Sequence, residues 1–150
     1  MRKILASLPY WFLFSVLAAA PAVHAENLYF PYVLAAQEAA KVADKVDGVK
    51  QALTGGGFEV AGEYSPYDGA HIIVVTNADL QKTAAASDFG GYGAIVRVGL
   101  TQVGDQVQTA YTNPLYMQHM YRMKGDLSGI AAALEKALGK QVEFGMKGGM

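Results

Sequence analysis

Two runs of strand-like residues, 94–103 and 106–112, are separated only by Gly104-Asp105, and this constrains the chain more than any other feature. A two-residue loop of this composition fixes the register of an antiparallel hairpin, because its positive backbone angles match the twist of the flanking strands. With Val103 opposite Gln106, Val98 falls opposite Tyr111 and Leu100 opposite Thr109 on one face. On the other face Arg97 falls opposite Thr112 and Gly99 opposite Ala110. The first face is bulky and calls for a cover of helices. The second is small and polar, a shallow trough with one guanidinium where a ligand or partner can approach the backbone. Arg97, Gly99, Ala110 and Thr112 are therefore the expected binding residues.

The rest of the chain supplies that cover. Ala39, Val42, Ala43, Val46, Val49 and Leu53 recur at three- and four-residue steps and end at Gly55-Gly56-Gly57, which predicts an amphipathic helix weakened in its middle by Gly48. Residues 58–64 alternate, 65–69 are turn chemistry, and 70–76 are more continuously apolar, so the three together predict a hairpin. Thr76 and Asp79 have capping-box spacing for a short helix over 80–87, which Gly90-Gly91-Tyr92-Gly93 breaks. Asn113-Pro114 places a cap residue before proline at the first helical position, predicting a helix over 115–123. Asp126 then caps a last helix with Leu127, Ile130, Ala131, Leu134, Ala137 and Leu138 in one stripe, closed by Gly139. Residues 141–150 carry a short apolar triplet and a glycine-rich end with no evident means of burial.

The beginning of the chain sets the expected compartment. Arg2 and Lys3 precede an apolar run over 4–20, and Pro21-Ala22-Val23-His24-Ala25 offers small residues before a cleavage point. Residues 1–25 thus read as a secretory signal peptide, leaving 26–150 as one periplasmic or secreted domain without a membrane span. Cleavage removes two of the 12 basic residues and none of the 13 acidic ones, so the remainder is acidic and has no basic run. Nucleic-acid binding needs the opposite balance. Cysteine is absent, which excludes thiolate catalysis, disulfides and cysteine-ligated metal centres.

The order of elements resembles domain-of-unknown-function family 302 over roughly residues 41–139. The resemblance is carried by Leu53 with Gly57-Phe58, by Gly91-Tyr92-Gly93-Ala94 leading to Arg97-Val98, and above all by Tyr111-Thr112-Asn113-Pro114-Leu115-Tyr116-Met117 with Tyr121-Arg122-Met123. It implies an α+β fold, a single antiparallel sheet with helices packed on one face, similar to the TATA-binding-protein-like β-α-β4-α layout. Residues 27–34 would supply the first strand, confined to an edge by Pro31. The family brings no established activity, and a shared layout is not a shared function.

The candidate chemistry is sparse. His119, Met120 and Met123 fall on one face of the expected 115–123 helix, and thioethers with an imidazole select copper(I) where cysteine is missing; the tail methionines Met146 and Met150 would add to such a carrier. Methionine also fills irregular cores, so packing competes with metal. Tyr111, Tyr116, Tyr121 and Arg122 are candidates for an aromatic pocket. Arg97 either holds an anionic group or pairs with an acid such as Glu63. No His-Glu-x-x-His, Gly-x-Ser-x-Gly or phosphate-loop pattern is present, so a hydrolase would require two carboxylates, or His71 and an acid, to meet in one cleft. The sequence thus favours a binding module that requires no cofactor, for a small molecule or a protein partner, a second copy of the chain included. A copper(I) carrier and a hydrolase are the alternatives.

Overall fold

In the computed structural model, residues 28–147 are described; the expected signal peptide and Met150 lie outside them. The sheet has six strands in the order β2-β3-β4-β5-β1-β6, and every neighbouring pair is antiparallel. The strands are β1 (Tyr32–Ala39), β2 (Glu59–Tyr64), β3 (Ala70–Thr76), β4 (Val96–Val103), β5 (Gln106–Thr112) and β6 (Val142–Phe144). The helices are α1 (Val42–Gly55), α2 (Ala78–Ala85), α3 (Pro114–Met120) and α4 (Ser128–Leu138), with a 3-10 turn at Gly90–Gly93.

The β4–β5 hairpin has the register its turn demands, Val98 opposite Tyr111, Gly99 opposite Ala110 and Leu100 opposite Thr109, with Gly104 at φ +59°. Val98, Leu100 and Val107 are 0% exposed and Tyr111 is 2%. They meet Leu53 of α1 and Ile130 and Leu134 of α4, together with Ile73 and Val75 of β3, in one core. Full burial of each such aliphatic side chain contributes about 1.5–3 kcal/mol against conformational entropy. The helices therefore lie on the side that the hairpin register requires.

Several local expectations are corrected. β1 runs to Ala39, so α1 starts three residues later than its periodicity suggests. Pro31 precedes the strand and restricts nothing; β1 lies between β5 and β6, with a register shift between Leu34 and Ala36. The cap of α2 is Asn77, whose side chain accepts from the Leu80 N–H at 2.8 Å, while Thr76 Oγ1 donates to the Ala94 carbonyl at 2.7 Å. Residues 142–144 are an edge strand on β1, although Val142 and Phe144 stay 51% and 42% exposed. α3 stops at Met120, not at Met123. The Asn113 cap holds as expected, accepting from the Leu115 N–H at 3.1 Å.

Candidate functional site

The face of the sheet away from the helices gathers the four residues singled out by the register. Arg97 is exposed, and Gly99, Ala110 and Thr112 are half-buried. Thr112 Oγ1 accepts from the Arg97 N–H at 3.1 Å, which keeps the two strands aligned past the last paired rung. Ile72 is opposite Gly99 from β3 and Leu34 is opposite Ala110 from β1, so the small centre of the trough is flanked by apolar side chains. At the far edge Tyr32 and Phe144 pack ring against ring at 5.7 Å. The Arg97 guanidinium pairs with no acid among the described residues.

Glu63, the acid that competes for Arg97 in the sequence, is occupied elsewhere. Its carboxylate meets Lys50 Nζ of α1 at 3.1 Å and His71 Nε2 at 3.5 Å. The hydrogen bond from Lys50, then that from His71, holds the Glu63 carboxyl below its ordinary range, and the same bond raises Lys50. His71 Nδ1 lies 3.0 Å from Ser65 Oγ, which completes a hydroxyl–imidazole–carboxylate chain at the turn end of the β2–β3 hairpin. So His71 does meet an acid, but on an exposed surface and with Lys50 already neutralising that acid. The four principal cavities are lined by other residues.

The three candidate metal ligands do not share a helix face. Because α3 ends at Met120, Met123 lies beyond it and turns inward, 7% exposed in the core. His119 is exposed and stacks on Tyr29 with ring centroids 4.7 Å apart. Met120 is 46% exposed and faces a cavity on another side. The one-turn spacing behind a copper(I) site is therefore not realised, because Arg122 turns to φ +50° and the Met123 N–H donates back to the Gln118 carbonyl at 2.9 Å, which closes the helix before Met123. Among the described residues no group of three His, Asp or Glu side chains is placed to hold a metal ion.

That cavity, about 490 Å³, is lined by Phe89, Tyr92, Met120, Tyr121 and Arg122. Of the aromatic pocket expected from sequence, Tyr121 and Arg122 are there. Tyr111 is in the core, its hydroxyl donating to the Gly139 carbonyl at 3.4 Å. Burial, and then the carboxylates of Glu135 and Glu143, push the Tyr111 phenol up to about 12. Tyr116 does not line the recess. Phe89 and Tyr92 were missed because they sit in a segment that reads only as a turn; the available signal was two aromatic rings among glycines, where the chain has no core to give them.

The fold and these surfaces define an α+β protein with one helix-covered antiparallel sheet. No family model and no curated protein matches the sequence. The fold is similar to that of a crystal structure, the uncharacterized conserved protein DUF302 from Bacillus stearothermophilus, with a TM-score of 0.55 and 17% identity, over 69% of this chain and 89% of that one. It carries the designation to which the 111–123 block was likened, which supports the resemblance. At that identity, what the two share is the fold.

Proposed function

We propose that the chain is an exported, non-catalytic binding module whose uncovered sheet face receives a protein partner. One observation carries this reading. Among the described residues Arg97 has no acidic partner beside its trough of small residues, while the acid best placed by sequence to neutralise it is held by Lys50 and His71. A guanidinium without a carboxylate is a ready donor for an anionic group. The flanking Ile72 and Leu34, with Tyr32 and Phe144 at the edge, give a broad, shallow apolar surface that suits a protein better than a small molecule, which prefers concave sites.

The test is site-specific photo-crosslinking in cells that make the protein. A photoreactive residue at Ala110 is expected to yield one discrete adduct, lost on Arg97→Glu and absent when the same residue replaces Ala132 on the exposed side of α4. An adduct at twice the chain mass would identify the partner as a second copy. Equal adducts from both positions, or one indifferent to Arg97→Glu, would reject the reading. For export, the expected N-terminus of the mature protein is Glu26, read by N-terminal sequencing.

A further inference from the structure

The recess at the end of α3 is bounded by a glycine turn that packs on the core residues Ala84 and Met123. A Cβ at Gly90 would lie 2.0 Å from the Ala84 carbonyl oxygen, and one at Gly93 would lie 2.5 Å from Met123 Sδ. The 3-10 turn is therefore pressed flat against the α2 backbone, where position 90 must be glycine, and against the movable Met123 side chain at Gly93. This contact turns the large side chains of the segment outward: Phe89 is 60% exposed and Tyr92 is 69%. Two aromatic rings left in water forgo burial that a chain of this size has reason to use. Tyr92 packs on Tyr121 with centroids 5.7 Å apart and planes 29° from parallel, so the wall is a preformed pair of rings.

The polar part of the recess is equally specific. Of the five lining residues only Arg122 is charged, and its side chain meets no acid among the described residues. Its backbone has φ +50°, the single non-glycine residue with positive φ among those described. This is the left-handed residue that closes α3, with the Arg122 N–H donating to the His119 carbonyl at 3.1 Å and the Met123 N–H to the Gln118 carbonyl at 2.9 Å, so the helix stop fixes where the guanidinium begins. The Met120 thioether adds a polarisable contact to the ring wall. Aromatic faces take up a flat ring, and a lone guanidinium beside them selects negative charge.

We propose that this recess binds a planar aromatic anion, a carboxylate or sulfonate, with its ring on Tyr92 and Tyr121 and its charge on Arg122. Its volume falls within the range of small-molecule sites, roughly 300–1,000 Å³. The site is separate from the sheet face around Arg97, and neither proposal depends on the other.

The probes are 1-anilinonaphthalene-8-sulfonate and its uncharged counterpart N-phenyl-1-naphthylamine, titrated by fluorescence into the native protein with melting temperature followed in parallel. The sulfonate is expected to bind one to one, with amide shifts in a nitrogen-edited spectrum confined to the neighbourhood of Tyr92 and Arg122. Arg122→Gln is expected to weaken the sulfonate about tenfold, the equivalent of losing one charge-assisted contact, and to leave the uncharged probe unchanged. Tyr92→Ala should weaken both, and Arg122→Lys should keep part of the preference for charge. Both positions are exposed, so the variants fold. Equal binding of the sulfonate to native protein and Arg122→Gln would overturn the anionic class. Binding abolished by Ala110→Glu but not by Tyr92→Ala would move the site to the sheet and overturn the recess altogether.

Discussion

Asn113 joins three elements at one point, and its replacement has a calculable cost. It is 2% exposed. Its Oδ1 accepts from the Leu115 N–H at the start of α3, and its Nδ2 donates to the Phe30 carbonyl at 2.9 Å and to Glu143 Oε2 of β6 at 3.1 Å. Asn113→Ala loses the cap, about 1 kcal/mol. It also leaves the Phe30 carbonyl without a donor, about 1–2 kcal/mol more, while Glu143 Oε2 keeps the Phe30 N–H at 3.4 Å. The sum, about 2–3 kcal/mol, corresponds to a fall in melting temperature of roughly 10 °C for a domain of this length. Urea unfolding followed by circular dichroism reads the same quantity. Asn113→Asp keeps the cap but turns the donor into a second carboxylate facing Glu143, so it should be no better than alanine at neutral pH. Adding Glu143→Gln should then return at least about 1 kcal/mol, because the new amide donates to the introduced carboxylate and so restores that one contact with its direction reversed. Two results would show that this junction is not what ties β6 and α3 to the sheet. One is a loss below about 0.5 kcal/mol for Asn113→Ala, under the usual cost of a lost cap. The other is a double variant, Asn113→Asp with Glu143→Gln, no more stable than Asn113→Asp alone.

Other outcomes follow from single positions. A Cβ at Gly48, inside α1, would meet nothing within 4 Å, so Gly48→Ala should raise stability by about 0.5–1 kcal/mol in urea unfolding. Leu134→Ala empties a fully buried position of α4 and should cost about 2–5 kcal/mol by the same assay. Tyr111, with its phenol raised to about 12, should ionise last in an alkaline absorbance titration. Since the folded state holds that proton more tightly than the unfolded one, its contribution is complete below about pH 10 and drains away as pH climbs toward 12, by up to roughly 2 kcal/mol. Glu63 has the opposite sign: its carboxyl is lowered in the folded protein, so the stability it lends is present above the ordinary carboxylate value and declines on acidification. Unfolding measured from about pH 6 to about pH 3 should show a shallower decline in Glu63→Gln.

The hairpin and the covered face were legible because two independent patterns agreed on them. The two-residue loop set the register, and the same alternation that the loop implied put Val98, Leu100 and Tyr111 together on the side that needed burial. The long amphipathic stripe of α4 was legible for a related reason: its apolar spacing is satisfied by one neighbour layer. The extent of β1 was not, since Gln37, Glu38, Ala39 and Ala40 have helical propensity and only pairing with β5 makes the strand extended as far as Ala39. β6 was invisible because three residues on an open edge carry no burial signal; they are held by ladder bonds and by the Glu143 contacts to Asn113 and Lys140. The site was legible in halves. Arg97 and its small neighbours followed from register, whereas the recess depended on a glycine turn lying flat on α2, a tertiary contact that no local pattern in Phe89–Gly93 encodes.

The position of β1 has a kinetic corollary. Tyr32 pairs with Thr112 on one side and with Phe144 on the other, so the first of the described strands to be synthesised must wait for β5 before one flank is satisfied and for β6 before the other is. Loop closure over such separations is slow. During that wait Val33 and Ala35 are available to holdase chaperones, and a polypeptide halted just short of β6 would carry a strand with one side still unmated.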